Sequence, residues 1–273
     1  MSMNQRTQPS LDDCKAIFAQ HGGTDLPYLE HHWPRFAKTK QEVEKTRPLP
    51  EHAAILDIGA HWLHQALPYA LDGHQVTALD LPVTMTEPNV VRAAQATNIR
   101  LLANEDLEHP AALATLDDDS FDVILFTEII EHITFNPVAM WREVYRVLKP
   151  GGRIVVTTPN YYALRGRLWR PGRLLHRFGG GLEVAQILNL HTYAHHWKEY
   201  SLRELIYYFC LLSPDFNCIK AAHLMAYSDN YLEVRGGTAT RWIESALPIL
   251  RPSLHLEVEL PHKAQGIAVE PHW

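Results

Sequence analysis

Between residues 126 and 137 the chain reads FTEIIEHITFNP, which spaces Glu128, Glu131 and His132 at i, i+3 and i+4 behind an apolar run. One turn of helix would carry all three side chains on one face. Carboxylates and an imidazole held together can move protons. They can also hold Mn²⁺, Fe²⁺ or Zn²⁺, with Mg²⁺ served mainly by the carboxylates. The same spacing suits a plain helix start, because glutamates favour the positive end of a helix. Further along, AHHWKEYS supplies His196 and its neighbour His195 as a later imidazole.

These residues need a scaffold, and the flanking sequence provides one. FDVILFT (121–127) is β-rich and apolar on both faces, as a central parallel strand should be. NPVAMWREVYRVLKPGG (136–152) predicts an amphipathic helix with Pro137 near its start, and RIVVTTPN (153–160) a fifth strand. Upstream, AILDIG (54–59), QVTALDLP (75–82) and IRLLAN (99–104) read as strands. LHQALPYALDG (63–73), VRAAQATN (91–98) and HPAALATL (109–116) read as helices between and after them. SLRELIYYFCLL (201–212) predicts a late helix, and CIKAAHLMAY (218–227) and SLHLEVEL (253–260) closing strands. The alternation predicts an α/β, doubly wound, mostly parallel seven-stranded sheet. Residues 1–50 form an N-terminal helical extension in this reading, and 51–273 the main domain with a cap inserted at about 161–195.

Composition narrows the function. A chain of 273 residues holds one sizeable domain with elaborations. The net charge of −6 argues against broad binding to DNA or other nucleic acid. No apolar run is long enough to cross a bilayer, and MSMNQRTQPS lacks a signal-peptide pattern, so a cytoplasmic location is expected. Cys14, Cys210 and Cys218 are too scattered for a disulfide framework or a thiolate zinc site. In YYALRGRLWRPGRLLHRFGGG, five arginines (165, 167, 170, 173 and 177) occur without one acidic residue. Such a segment fits a phosphate-gripping cap, and equally a solvated flap.

In open α/β sheets ligands bind at the carboxyl ends of the strands. Asp80 closes the second strand 21 positions after Gly59, where a carboxylate can take both hydroxyls of a ribose. Gly59 leaves room for close backbone approach. Taken together, ILDIGA, VTALD, NEDLE, FDVILFTEIIEH, LKPGGRIVVTTPN and HHWKEYSLREL resemble the class I S-adenosylmethionine-dependent methyltransferases over roughly residues 50–212. The pattern is similar to the branch with EHhxxP after strand four and HxREYT later. The resemblance implies that Asp57, Gly59 and Ala60 line the methionine end of the cofactor and that Asp80, with Leu81 beside it, holds the ribose. It implies that Asp106 and Leu107 flank the adenine, and that Phe126 and Thr127 close the pocket beside the sulfonium. One departure matters. Where many members read D-x-G-x-G-x-G, this chain reads D-I-G-A-H-W-L, so His61 and Leu63 stand at glycine positions. Their side chains must point away, or the cofactor must shift. The missing G-x-G-x-x-G also counts against a dinucleotide oxidoreductase.

What the resemblance implies is a transferase with S-adenosylmethionine as cofactor. Its acceptor is a small molecule, phosphorylated or sugar-linked, and the first expectation is O-methylation of a carbohydrate or cell-surface glycan precursor. A phenol or quinone precursor is the alternative, an RNA terminus comes third, and a catalytically decayed scaffold is the reading from another class. E-x-x-E-H resembles metal-dependent RNA 2′-O-methyltransferases and ubiquinone-pathway O-methyltransferases, in which two glutamates and two histidines share a divalent ion. The preferred reading is metal-free, with His132 or His196 near the acceptor hydroxyl as base or hydrogen-bond partner.

Overall fold

The computed structural model describes residues 8–22, 25–164, 184–189, 195–225 and 237–271. Seven strands form one sheet: β1 (Ala54–Ile58), β2 (Gln75–Asp80), β3 (Arg100–Ala103), β4 (Phe121–Thr127), β5 (Leu148–Pro159), β6 (Asn217–Leu224) and β7 (Ser253–Leu260). Their order is β3-β2-β1-β4-β5-β7-β6. The first five are parallel, and β7 runs antiparallel between β5 and β6. The chain winds outward from β1 in one direction through β2 and β3, and in the other from β4. The crevice above β1 and β4 is therefore the switch point where a ligand fits.

Helices cover both faces. The described ones are α1 (Leu11–Gln20), α2 (Leu26–Thr46), α3 (Leu67–Leu71), α4 (Pro82–Met85), α5 (Pro88–Ala96), α6 (Val138–Val147), α7 (Val184–Asn189), α8 (Leu202–Leu212) and α9 (Gly237–Ala246). Trp141, Val144, Phe209 and Leu212 of α6 and α8 pack with Ile124 and Phe126 of β4 on one face. Phe18, Leu29, Phe36 and Val43 of α1 and α2 pack with Val123 and Leu125 on the other. Successive β4 residues thus serve opposite layers, as the pleat requires. Capping boxes start α1 at Ser10 and α8 at Ser201.

The N-terminal helices belong to the core. At the C-terminal end of α2, the carbonyls of Val43 and Arg47 accept from the Arg153 guanidinium of β5 at 2.9 and 2.7 Å. Arg153 also pairs with the buried Glu257 of β7 at 3.2 Å, and His255 bonds Glu257 at 2.9 Å. A cation at helix-terminal carbonyls is well placed against the helix dipole. These contacts fix α2 on the sheet, and so fix what its other half presents to the switch point.

Several local expectations change. Helix over 63–73 shrinks to Leu67–Leu71, because the stretch before it turns instead of coiling. The expected helix at 109–116 is a single 3₁₀ turn, Leu113–Thr115. LKPGG joins β5 rather than ending α6: Leu148 already pairs with Phe121. The expected strand at 218–227 is β6, Asn217–Leu224, while Ser253–Leu260 falls where the alternation puts it. Most of the cap at about 161–195, with all five of its arginines, lies outside the described residues.

Candidate active site

A cavity of about 350 Å³ opens at the switch point. Gly59, Ala60 and His61 line it from the loop after β1, and Asp80 and Leu81 from the end of β2. Gly59 has φ +78, and a Cβ built there would collide with the Ile129 side chain. Oδ2 of Asp80 accepts from the backbone N–H of His61 at 2.7 Å, and Oδ1 from that of Leu81 at 2.6 Å. A carboxylate offers about four lone-pair sites, so both oxygens keep capacity for a pair of ribose hydroxyls. After β3, Asn104 organises the next loop: Oδ1 accepts from Ala112 N–H at 2.9 Å and Nδ2 donates to the Asp106 carbonyl. Asp106 and Leu107 are thereby set on the wall. The Asp106 carboxylate takes the His109 N–H at 2.6 Å, which lowers its pKa.

The glycine-poor loop keeps a glycine-like path. His61 has φ +48 and Leu63 φ +67, both in the left-handed region that favours glycine. Leu63 turns its side chain fully into the core. His61 stays on the cavity wall, its ring 4.3 Å from that of Trp62 and 5.3 Å from that of Tyr28. Both residues thus accept the backbone conformation at some strain, and only Leu63 points away.

The opposite wall comes from α2. Tyr28, Arg35 and Phe36 all line the cavity. Arg35 Nη1 lies 3.1 Å from Glu128 Oε2. Burial is the largest influence on Arg35 and works to lower its pKa, but Glu128, Tyr28 and Glu131 together outweigh it, so the guanidinium is held above its usual value. The helical periodicity of this segment predicted a helix but gave no sign of its place in the site.

The E-x-x-E-H stretch is not a turn of α-helix. Glu128 has φ +58, and a 3₁₀ turn covers Ile130–His132. Glu128 therefore parts from the other two, while His132 Nε2 stays 3.8 Å from Glu131 Oε1. Glu128 Oε1 accepts from Thr157 Oγ1 at 2.9 Å while Oε2 faces Arg35. Glu131 is buried, with Oε2 accepting from Thr158 Oγ1 at 2.8 Å and Oε1 unbonded among the described residues. Burial, reinforced by the Glu128 carboxylate, holds Glu131 well above the usual carboxylate range. His132 lines the cavity with Nδ1 3.0 Å from the His195 carbonyl. A carbonyl only accepts, so Nδ1 carries a proton, and in the neutral ring the lone pair is on Nε2. His196 meets His132 edge-on, ring centroids 4.7 Å apart.

Of the residues expected at the cofactor, seven line the cavity: Gly59, Ala60, Asp80, Leu81, Asp106, Leu107 and Thr127. Two do not. Phe126 faces the other layer, buried with its ring 5.1 Å from that of Trp141, because the β4 alternation turns it away. Asp57 is buried behind the loop. Of the expected catalytic set, Glu131, His132 and His196 come together, with donor atoms within 4.8 Å of one another, and Glu128 is drawn off by Arg35 and Thr157. Those three donors, with the unbonded Glu131 oxygen among them, fit a divalent ion; a four-ligand set including Glu128 does not form. The cavity wall also has residues without a sequence signal, Phe36, Ile133 and Phe135.

Residues 56–156 match the methyltransferase domain family. A ubiquinone biosynthesis O-methyltransferase of Xanthomonas oryzae pv. oryzae is 29% identical over 208 residues, covering 72% of this chain and 80% of that protein. Among solved structures, a chain of the complex between the Haloferax volcanii Trm112 methyltransferase activator and the putative methyltransferase aligns with TM-score 0.54 and 16% identity, covering 90% of this chain and 98% of that one. An S-adenosylmethionine-dependent methyltransferase from Mesorhizobium loti aligns with TM-score 0.51 and 20% identity, covering 83% and 96%. The matched segment, residues 56–156, runs from β1 into β5 and so carries the parallel part of the sheet, and these solved structures share the fold. Among the described residues, no helix is long and apolar enough to cross a membrane.

Proposed function

We propose that this methyltransferase methylates a phenolic hydroxyl on an aromatic small molecule, a phenol or quinone precursor, with His132 as general base. The observation that carries the reading is the make-up of the cavity that His132 lines: Phe36, Ile129, Ile133 and Phe135 line it as well, together with Tyr28 and His61. An aromatic ring satisfies such a slot by stacking and burial. A sugar would bury several hydroxyls against side chains that cannot bond them, each at a desolvation cost. The likeness to a ubiquinone biosynthesis O-methyltransferase supports the same choice over the glycan expectation.

S-adenosylmethionine supplies an activated methyl on a sulfonium, transferred in line to the acceptor oxygen. The chain positions and deprotonates. Asp80 holds the ribose, Gly59 and Ala60 pass close beside the methionine end, and Asp106 and Leu107 flank the base. Proximity alone supplies much of the rate in such a displacement. The His195 carbonyl fixes the His132 tautomer, so Nε2 takes the phenolic proton as the oxygen attacks. Arg35 and Glu128 keep an oriented charge pair beside the acceptor rather than an open carboxylate.

A second reading rests on the unbonded Glu131 oxygen: Glu131, His132 and His196 hold a divalent ion that lowers the pKa of the acceptor hydroxyl. The two readings exclude each other at Nε2 of His132. Incubating the purified chain with labelled S-adenosylmethionine and a catechol-type acceptor, with and without chelator, separates them. Turnover that survives chelation supports the base; turnover lost to chelator and restored by Mn²⁺ supports the ion.

A further inference from the structure

Two residues before Gly59, Asp57 stands on β1 with its carboxylate fully buried. Neither oxygen has a hydrogen-bond partner among the described residues. Strand alternation turns Asp57, like Ile55, to the face covered by α2 and α3. From α3 it is faced by Tyr69, whose hydroxyl is itself buried and has no hydrogen-bond partner among the described residues. Beyond Tyr69 lie Lys40 of α2, its ammonium 5.5 Å from the Tyr69 ring centroid, Glu44 of α2, and Arg153 and Glu257 of the sheet. From the end of β2 the neighbouring charge is Asp80. The surroundings on the sheet are otherwise apolar: Asp57 pairs in register with Ala78 and Leu125.

A carboxylate in such a place neutralises rather than staying charged and unpaired. Burial, with Asp80 adding, pushes Asp57 up to about 7. What changes on the far side of the loop is the charge of the cofactor. S-adenosylmethionine brings a sulfonium and an ammonium past Gly59 and Ala60, whereas the product of transfer keeps the ammonium and has only a neutral thioether.

We propose that Asp57 is a proton-linked counter-charge that discriminates cofactor from product: protonated in the empty protein, it releases its proton to solvent when S-adenosylmethionine enters, and takes one back as the sulfonium is consumed. The inference rests on the cofactor reading of the cavity. It makes Asp57 a specificity residue acting through the field across the loop, not a group that touches the reacting atoms.

Calorimetry on the full chain, in buffers of different ionisation enthalpy, tests this. Wild type should release about 0.9 proton per S-adenosylmethionine at pH 6 and about 0.5 at pH 7, if Asp57 ionises fully on binding. Affinity should tighten about fivefold between those pH values, by the same linkage. S-adenosylhomocysteine should release fewer protons. Asp57→Asn, an isostere of the protonated acid, should lose that release and flatten the pH dependence. Equal proton release by variant and wild type overturns the proposal. If the variant does not fold, the ¹³C resonance of the Asp57 carboxyl in wild type decides: it should titrate near neutrality in the empty protein and stay ionised with cofactor bound, and an unchanged titration overturns the proposal. Binding without proton release sinks this inference alone; no binding of S-adenosylmethionine at all sinks the cofactor reading with it.

Discussion

The backbone N–H of His61 donates to Oδ2 of Asp80 at 2.7 Å, tying the loop after β1 to the carboxylate that ends β2. One side chain therefore shapes the loop and lines the cavity. Asp80→Ala should weaken S-adenosylmethionine binding at least tenfold, since a hydrogen bond to a charged acceptor contributes about 1.5–3 kcal/mol. Asp80→Asn should lose less, because a carbonyl oxygen can still take the His61 N–H. Calorimetry gives both values; unchanged affinity in the alanine variant removes Asp80 from the cofactor site.

The loop's two left-handed residues should answer differently to glycine. At His61, φ +48 is strained for a side chain that lines an open cavity, so His61→Gly should leave the melting temperature unchanged or raise it. At Leu63 the same relief is outweighed by emptying a fully buried position. Leu63→Gly should cost about 2–4 kcal/mol, in the range of large-to-small core changes. Denaturant melts of the two variants check the order.

Arg35 and Glu128 lie 3.1 Å apart, with side chains 16% and 18% exposed. Removing one partner leaves the other charge in a mostly apolar cavity, so Arg35→Met and Glu128→Gln should each lower stability and raise the acceptor KM. The double variant should recover part of the loss. A double-mutant cycle that sums additively would show the pair to be independent.

How much of this was legible in the sequence depends on how local the signal is. Strands β1, β2 and β4, with Gly59 and Asp80 at their ends, follow from apolar runs and their breaks, and the structure puts Gly59 and Asp80 on one cavity. Phe126 was not legible, because facing is set by the pleat of a strand buried on both sides, where both faces read as apolar. Glu128 was misjudged because i, i+3, i+4 spacing assumes α-helical geometry, and a φ of +58 breaks it. Arg35 had no signal at all. Its place on the cavity wall depends on α2 packing back over the switch point, a contact between distant parts of the chain fixed by Arg153 and Glu257.

The same docking predicts acid sensitivity. His32 on α2 sits among Tyr28, His31, Arg35, His61 and His64, and burial first, then Arg35, lowers its pKa to about 3. With the folded pKa depressed, the neutral ring contributes stability in full above the ordinary histidine value. As pH falls from about 6.5 towards 3, the unfolded chain takes the proton first and that stability is lost. Melting temperature should therefore fall between pH 7 and pH 4.5, and His32→Gln should make the fall shallower. Identical pH profiles for the two proteins would contradict the assignment.

Under the proposed function, a methyl group passes from S-adenosylmethionine to a phenolic oxygen in the cavity that His132 lines. The most direct measurement is mass spectrometry and NMR of the product formed from labelled S-adenosylmethionine and a mixture of catechol-type and sugar acceptors. Run with chelator present, wild type should place the label on a phenolic oxygen, and His132→Ala should lower kcat by roughly 10²–10⁴, the usual contribution of a general base. Label on a sugar hydroxyl, or full phenol methylation by His132→Ala, would contradict the account.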